Sequence, residues 1–203
     1  MAPSVCIDLG GRERSQLLSI ARGAIEAGVE GQRATAPAAH GLSPSLREKL
    51  GVFVTLKSRG SLRGCIGSLE SASPLAHAVA QSAHDAAFRD PRFLPVEPGE
   101  LPSIRIEISV LSATEALAVA SREDLLDALQ PGMDGLLLEE RNHRATFLPK
   151  VWEQLAEPRE FLEQLLLKAG LPGDYWSATL RLSRYRTLTF ADSQRCADKL
   201  RPV

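Results

Sequence analysis

Apolar residues recur along the chain with two different periods, and the switches between those periods lay out the elements. Leu17, Leu18, Ala21 and Ile25, with Val29 beyond, fall on one helical face and predict a helix near the N-terminus. Gly28 to His40 reads as a loop, after which Ser43-Pro44 offers a cap residue and a first-turn proline for a short helix that Gly51 ends. Val52-Phe53-Val54-Thr55-Leu56 is a β-branched and aromatic run. It predicts a strand, with Lys57-Ser58-Arg59-Gly60 as the turn and Leu62 to Ile66 as the returning partner. Ser73-Pro74 opens a helix whose Leu75, Ala76, Val79, Ala80, Ala83, Ala86 and Ala87 make a small-residue face, and which must stop before Pro91.

The second half repeats these signals. Ile104, Ile106, Ile108 and Val110 alternate with Arg105, Glu107 and Ser109 in a two-residue period, a strand with one apolar face. Ser121 with Asp124 resembles a capping box and opens a helix through Leu129, closed by Pro131-Gly132. Leu136 to Leu138 and Ala145 to Leu148 flank a polar turn, Arg141 to Arg144, and predict a second hairpin. Pro158 begins a helix stopped by Gly170, and Thr179 to Phe190 alternates as one final strand. Hairpins interleaved with helices imply an α/β chain of the α+β type, a mostly antiparallel or mixed sheet covered by helices.

Composition changes this picture little. With 44% hydrophobic and 24% charged residues, the chain is an ordinary globular sequence, and no apolar run reaches the length of a membrane span. We expect a cytoplasmic protein with no membrane partner. A net charge of −1 provides no field for nucleic acid, and Arg181, Arg184 and Arg186 lack the aromatic platform that such binding uses. Cys6, Cys65 and Cys196 are an odd set without C-x-x-C spacing, which argues against a disulfide framework and a thiolate metal site. No glycine pattern for a dinucleotide or phosphate loop is present, so no cofactor is assigned.

Three ordered blocks carry a resemblance: Gly51 to Leu56 leading into Leu62-Arg63-Gly64-Cys65-Ile66-Gly67, then Arg89-Asp90-Pro91-Arg92-Phe93, then Ile106 to Leu111. Asp134-Gly135-Leu136 and Phe147 to Trp152 extend it. The set is similar to the AMMECR domain family, which includes AmmeMemoRadiSam system protein A, over residues 13–192, leaving 1–12 and 193–203 as terminal extensions. The resemblance implies two subdomains with a groove between them and the cysteine block near it. It also implies a pathway shared with a Memo-type protein and a radical SAM protein, but no defined reaction.

Cys65 is the sharpest chemical candidate, as a nucleophile whose thiolate needs nearby positive charge; Arg63, two residues away, would supply it if both lie on one strand face. Gly64 and Gly67 would open the backbone to a substrate, and their N–H groups could act as oxyanion donors. His84, which shares a helix face with His77, is the candidate base, with His40 and His143 weaker. Glu107, mid-strand, could act as an acid or base if its face is covered. Asp90 and Arg92 would hold a guanidinium at the groove for an anionic group. The competing reading is that Cys65 is a small buried residue, that the glycines serve the turn, and that the whole is a non-catalytic adaptor for a protein or peptide.

Overall fold

The computed structural model describes residues 7–32 and 41–192; Cys6, Cys196 and His40 lie outside them, as does most of the loop expected over 28–40. In chain order the elements are α1 (Gly11–Val29), α2 (Pro44–Arg47), β1 (Val52–Ser58), β2 (Ser61–Ser68), α3 (Leu75–Phe88) and β3 (Ile104–Leu111). They are followed by β4 (Glu115–Ala116), α4 (Arg122–Ala128), β5 (Gly135–Glu140), β6 (His143–Phe147), α5 (Pro158–Lys168), β7 (Arg181–Tyr185) and β8 (Thr187–Ala191). The α/β character read from the periodicity is therefore present, arranged as two sheets in two compact units, residues 7–110 with 188–192, and residues 111–187.

In the unit of 7–110 and 188–192, four strands lie in the order β2-β1-β3-β8. Val52, Val54 and Leu56 of β1 and Ile104, Ile106, Ile108 and Val110 of β3 point to one side, where they pack with Leu17, Ala21 and Ile25 of α1 and the alanine face of α3. Alternation then places Phe53, Thr55 and Lys57 with Arg105, Glu107 and Ser109 on the opposite side, each half-buried. In the unit of 111–187 the order is β4-β7-β5-β6. Leu136 and Leu138 pack there with Phe161, Leu162, Leu165 and Leu166 of α5, and the Trp152 indole stacks on Phe161 with centroids 3.8 Å apart.

Caps explain which helix starts were legible. At α4, Ser121 Oγ accepts from the Asp124 N–H at 3.1 Å and the Asp124 carboxylate accepts from the Ser121 N–H at 3.0 Å, the reciprocal box the sequence predicts. Ser43 and Ser73 make no such bond: Ser43 meets the Ser45 hydroxyl, and Pro74 itself occupies the cap position of α3. Thr179 to Phe190 is not one strand. It breaks at Arg186, whose N–H donates to Ser112 Oγ and whose carbonyl accepts from the Ser112 N–H, so β7 and β8 belong to different sheets.

The β1–β2 hairpin turns on Arg59-Gly60 alone, since Ser58 already pairs with Ser61 and Lys57 with Leu62. The next pair is Leu56 with Gly64, which leaves Arg63 as an extra residue, a β-bulge. Without it the register would set Cys65 opposite Val54, a fully buried position; with it Cys65 pairs with Thr55 and turns away from the core. The same shift points Gly64 at α3, where a Cβ would stand 2.0 Å from the Ala86 carbonyl oxygen.

Gly64→Ala should therefore force β2 and α3 apart and lower unfolding stability by about 1–3 kcal/mol or more. Gly23→Ala, at an α1 interior site where a Cβ meets nothing within 4 Å, should raise it by about 0.5–1 kcal/mol. Urea denaturation of the two variants checks both signs.

Candidate functional site

Cys65 stands in β2, half-buried, with its sulfur accepting a hydrogen bond from Thr55 Oγ1 at 3.3 Å. Its peptide is gripped on both sides. The Cys65 N–H donates to Asp90 Oδ2 at 2.8 Å, and the Cys65 carbonyl accepts from the Arg92 guanidinium at 3.3 Å. Asp90 joins the two halves of the grip: its side chain is 2% exposed and accepts from Arg92 Nε at 2.9 Å, from the far guanidinium nitrogen at 2.7 Å and from the Arg92 N–H at 3.1 Å. Arg92 hydrogen bonding, first, and the Cys65 and Arg92 peptide N–H groups hold the Asp90 carboxyl far below its ordinary range, against the opposing effect of burial. The Arg92 side chain itself is 54% exposed, and the negative charge of Asp90 keeps it firmly protonated.

The loop after α3 that carries this pair also carries Phe93. The guanidinium carbons of Arg92 and Arg63 lie 5.5 and 6.0 Å from its ring centroid. Arg63 is committed elsewhere: it clasps Glu100 in two bonds of 2.7 and 2.9 Å and reaches the Pro95 carbonyl, and this pairing lowers the Glu100 carboxyl. The expected partner of the thiol is therefore replaced. Arg92 stands beside Cys65, while Arg63, displaced by its bulge, fastens the loop of 95–100 to β2.

Several expectations need correction. Gly64 does not open the backbone to a substrate; its missing side chain is the space taken by the Ala86 carbonyl. Gly67 is likewise confined, since a Cβ there would meet the Val52 carbonyl and Phe53 at 2.2–2.6 Å. Asp90 is spent on protein groups and is a positioning residue rather than a ligand for substrate. His84 belongs to α3, on the side that Gly64 and Ile66 face, so the thiol between those residues points away from it. Its ring packs against Phe88 at 5.0 Å and meets Asp85 at 3.4 Å.

Glu107 shares the thiol's sheet face, because Thr55 is the cross-strand neighbour of both Cys65 and Glu107. Two strand spacings, about 10 Å, separate the outer members of that row, and Glu107 is bound to Lys57 Nζ at 2.8 Å. It stands too far away to take a proton from sulfur directly. Thr55 is the residue the sequence reading missed, and only the hairpin register, bulge included, could have revealed it. Cavities of about 410 and 500 Å³ adjoin β2 and the β1–β2 turn respectively; Cys65 lines neither and lies on the open sheet face.

Because the Asp90 carboxyl is lowered on folding, the stability it contributes is complete above its ordinary value of 3.8 and is lost as pH falls from there towards the folded value. Asp90→Asn should cost about 1–3 kcal/mol at pH 7, where Arg92 can still turn to water, and should flatten the acid limb of the stability curve below about pH 4. Urea midpoints across pH 2.5–7 for the two proteins, with the range chosen around the carboxylate reference of about 3.9, provide the check.

The AMMECR1 family model matches residues 18–190. A protein of Thermofilum pendens is 39% identical over 197 residues, covering 91% of this chain and 92% of its own, and one of Methanothermobacter thermautotrophicus is 41% identical over 182 residues, covering 88% and 93%. Among solved structures, that of the uncharacterized protein PH0010 from Pyrococcus horikoshii superposes with a TM-score of 0.77 at 33% identity, over 87% of this chain and 89% of that one. With a family match across most of its length and relatives matched nearly end to end, the chain belongs to the AMMECR1 family.

Proposed function

We infer that the sheet face around Cys65 is a thiol site, at which the sulfur captures an electrophilic small or modified substrate while Arg92 binds an anionic group beside it. One observation carries this reading: a buried carboxylate and a guanidinium are spent on fixing the two backbone groups of Cys65, while its sulfur is left half-exposed under a single hydroxyl. A cysteine that served only as apolar filling needs no such fixation, whereas a reacting group must be held to a fraction of an ångström. The roles differ from those the sequence pattern favours. Thr55 donates to sulfur and so favours the thiolate, Arg92 supplies the positive charge, and Glu107 acts at most through Thr55.

A second reading has its own observation. Leu94, in the same loop as Arg92 and Phe93, is 83% exposed, and Leu62 is 44% exposed. Exposed leucines beside a fixed cation suit a protein partner. In that case the domain is an adaptor, and the partner is a Memo-type or radical SAM protein.

Native protein treated with iodoacetamide and read by site-resolved mass spectrometry should alkylate at Cys65. Arg92→Gln and Thr55→Val should each slow that site several-fold at pH 7 while leaving the rate in urea unchanged. Modification of Cys65 only after unfolding would end the thiol reading. Binding of a purified Memo-type or radical SAM protein that survives Cys65→Ser but is lost on Leu94→Asp would establish the adaptor.

A further inference from the structure

Across the sheet face from Cys65, at the turn end of β1 and β3, lies the cavity of about 500 Å³, whose wall includes Lys57, Arg59, Gly60, Ser103 and Arg105. Its two carboxylates are already matched by cations. Glu107 accepts from Lys57 at 2.8 Å, and Asp192 accepts from Arg22 of α1 at 2.6 Å and from the Ile106 N–H at 3.1 Å. With Arg59 and Arg105 added, four cations stand against two carboxylates, so the cavity is electropositive in a chain whose net charge is −1.

The backbone adds a separate observation. Arg59 has φ +52° and Gly60 has φ +84°, so both central residues of the two-residue turn are left-handed. Asparagine, aspartate or glycine satisfies the first of these positions with little strain, whereas an arginine there is disfavoured by its Cβ. Turn geometry does not call for this side chain. A charged group kept at a strained position on the rim of an electropositive cavity is the pattern of a ligand clamp.

We propose that this cavity is an oxyanion site that takes the carboxylate or phosphate end of a small molecule, with Arg59 and Arg105 as its main contacts. The planar donor forks of the two arginines suit either anion. The proposal rests on the thiol reading for the other end of the molecule. Lys57 and Thr55 are two residues apart on one face of β1, and Thr55 adjoins Cys65, so an anion in the cavity stands about 10 Å from the sulfur. The substrate class that fits is a short anionic molecule with its reactive carbon at the far end.

The full chain, labelled with nitrogen-15, is titrated with inorganic phosphate and, separately, with succinate, following the amide signals of Arg59, Gly60 and Ser61. The expected result is saturable movement of these signals with at least one anion, weakened tenfold or more by Arg59→Gln and by Arg105→Gln, and unchanged by Cys65→Ser. Saturation by phosphate alone or succinate alone identifies the anion. Linear movement that never saturates, or saturation indifferent to both arginine substitutions, overturns the proposal. Arg59 is exposed, so its variant keeps a native amide spectrum and remains informative if Arg105→Gln disturbs the fold. Saturable binding alongside an unreactive Cys65 would leave the oxyanion site standing and remove the thiol reading, and the converse result would do the opposite.

Discussion

One additional residue in β2 decides what the hairpin can do. Arg63 has no partner across the ladder, and every residue after it is reversed in facing relative to an unbulged hairpin. That parity puts Gly64 against α3, Ile66 in the core and Cys65 on the half-buried face beside Thr55. The bulge itself is held by the two-bond clasp of Arg63 on Glu100, so the side chain left over by the irregularity is the one that secures it.

The close approach of α3 to β2 follows from the same parity. A strand residue without a side chain meets a helix face made of alanines, and the Ala86 carbonyl fills the position a Cβ would take. This packing fixes where α3 ends, and from its end the chain passes directly into Asp90-Pro91-Arg92-Phe93. The loop therefore returns to the edge of β2 at the height of Cys65, two residues past the glycine that admitted the helix. Signature residues distant in sequence are one mechanical unit.

The elements were largely legible because their periods are clean: the isoleucine alternation of β3, the capping box of α4 and the alanine face of α3 were all read correctly. What escaped depends on pairing rather than on period. Alternation continues smoothly through Arg186, so nothing local marks the change of sheet that the Ser112 contacts impose. In the same way Arg63 and Cys65, two apart, look like neighbours on one strand face until the bulge is known. Cys65 and Arg92 could be named from the motif blocks, but Thr55 could not, because its importance comes from standing between two strands. Gly64 and Asp90 were noticed for the wrong reason, since a glycine that admits a helix and a carboxylate that fixes a peptide look in sequence like groups that serve a ligand.

β2 is an outer strand of its sheet, with β1 on one side only. A bare strand edge is a template for another chain, and proteins commonly blunt it with charge or a covering loop. Here the carboxylate of Asp90 and the guanidinium of Arg92 occupy the donor and acceptor of Cys65 as a neighbouring strand would. The loop is thus a counterfeit strand two side chains long, and it makes the most distinctive stretch of the sequence unavailable for sheet-to-sheet polymerisation at that point.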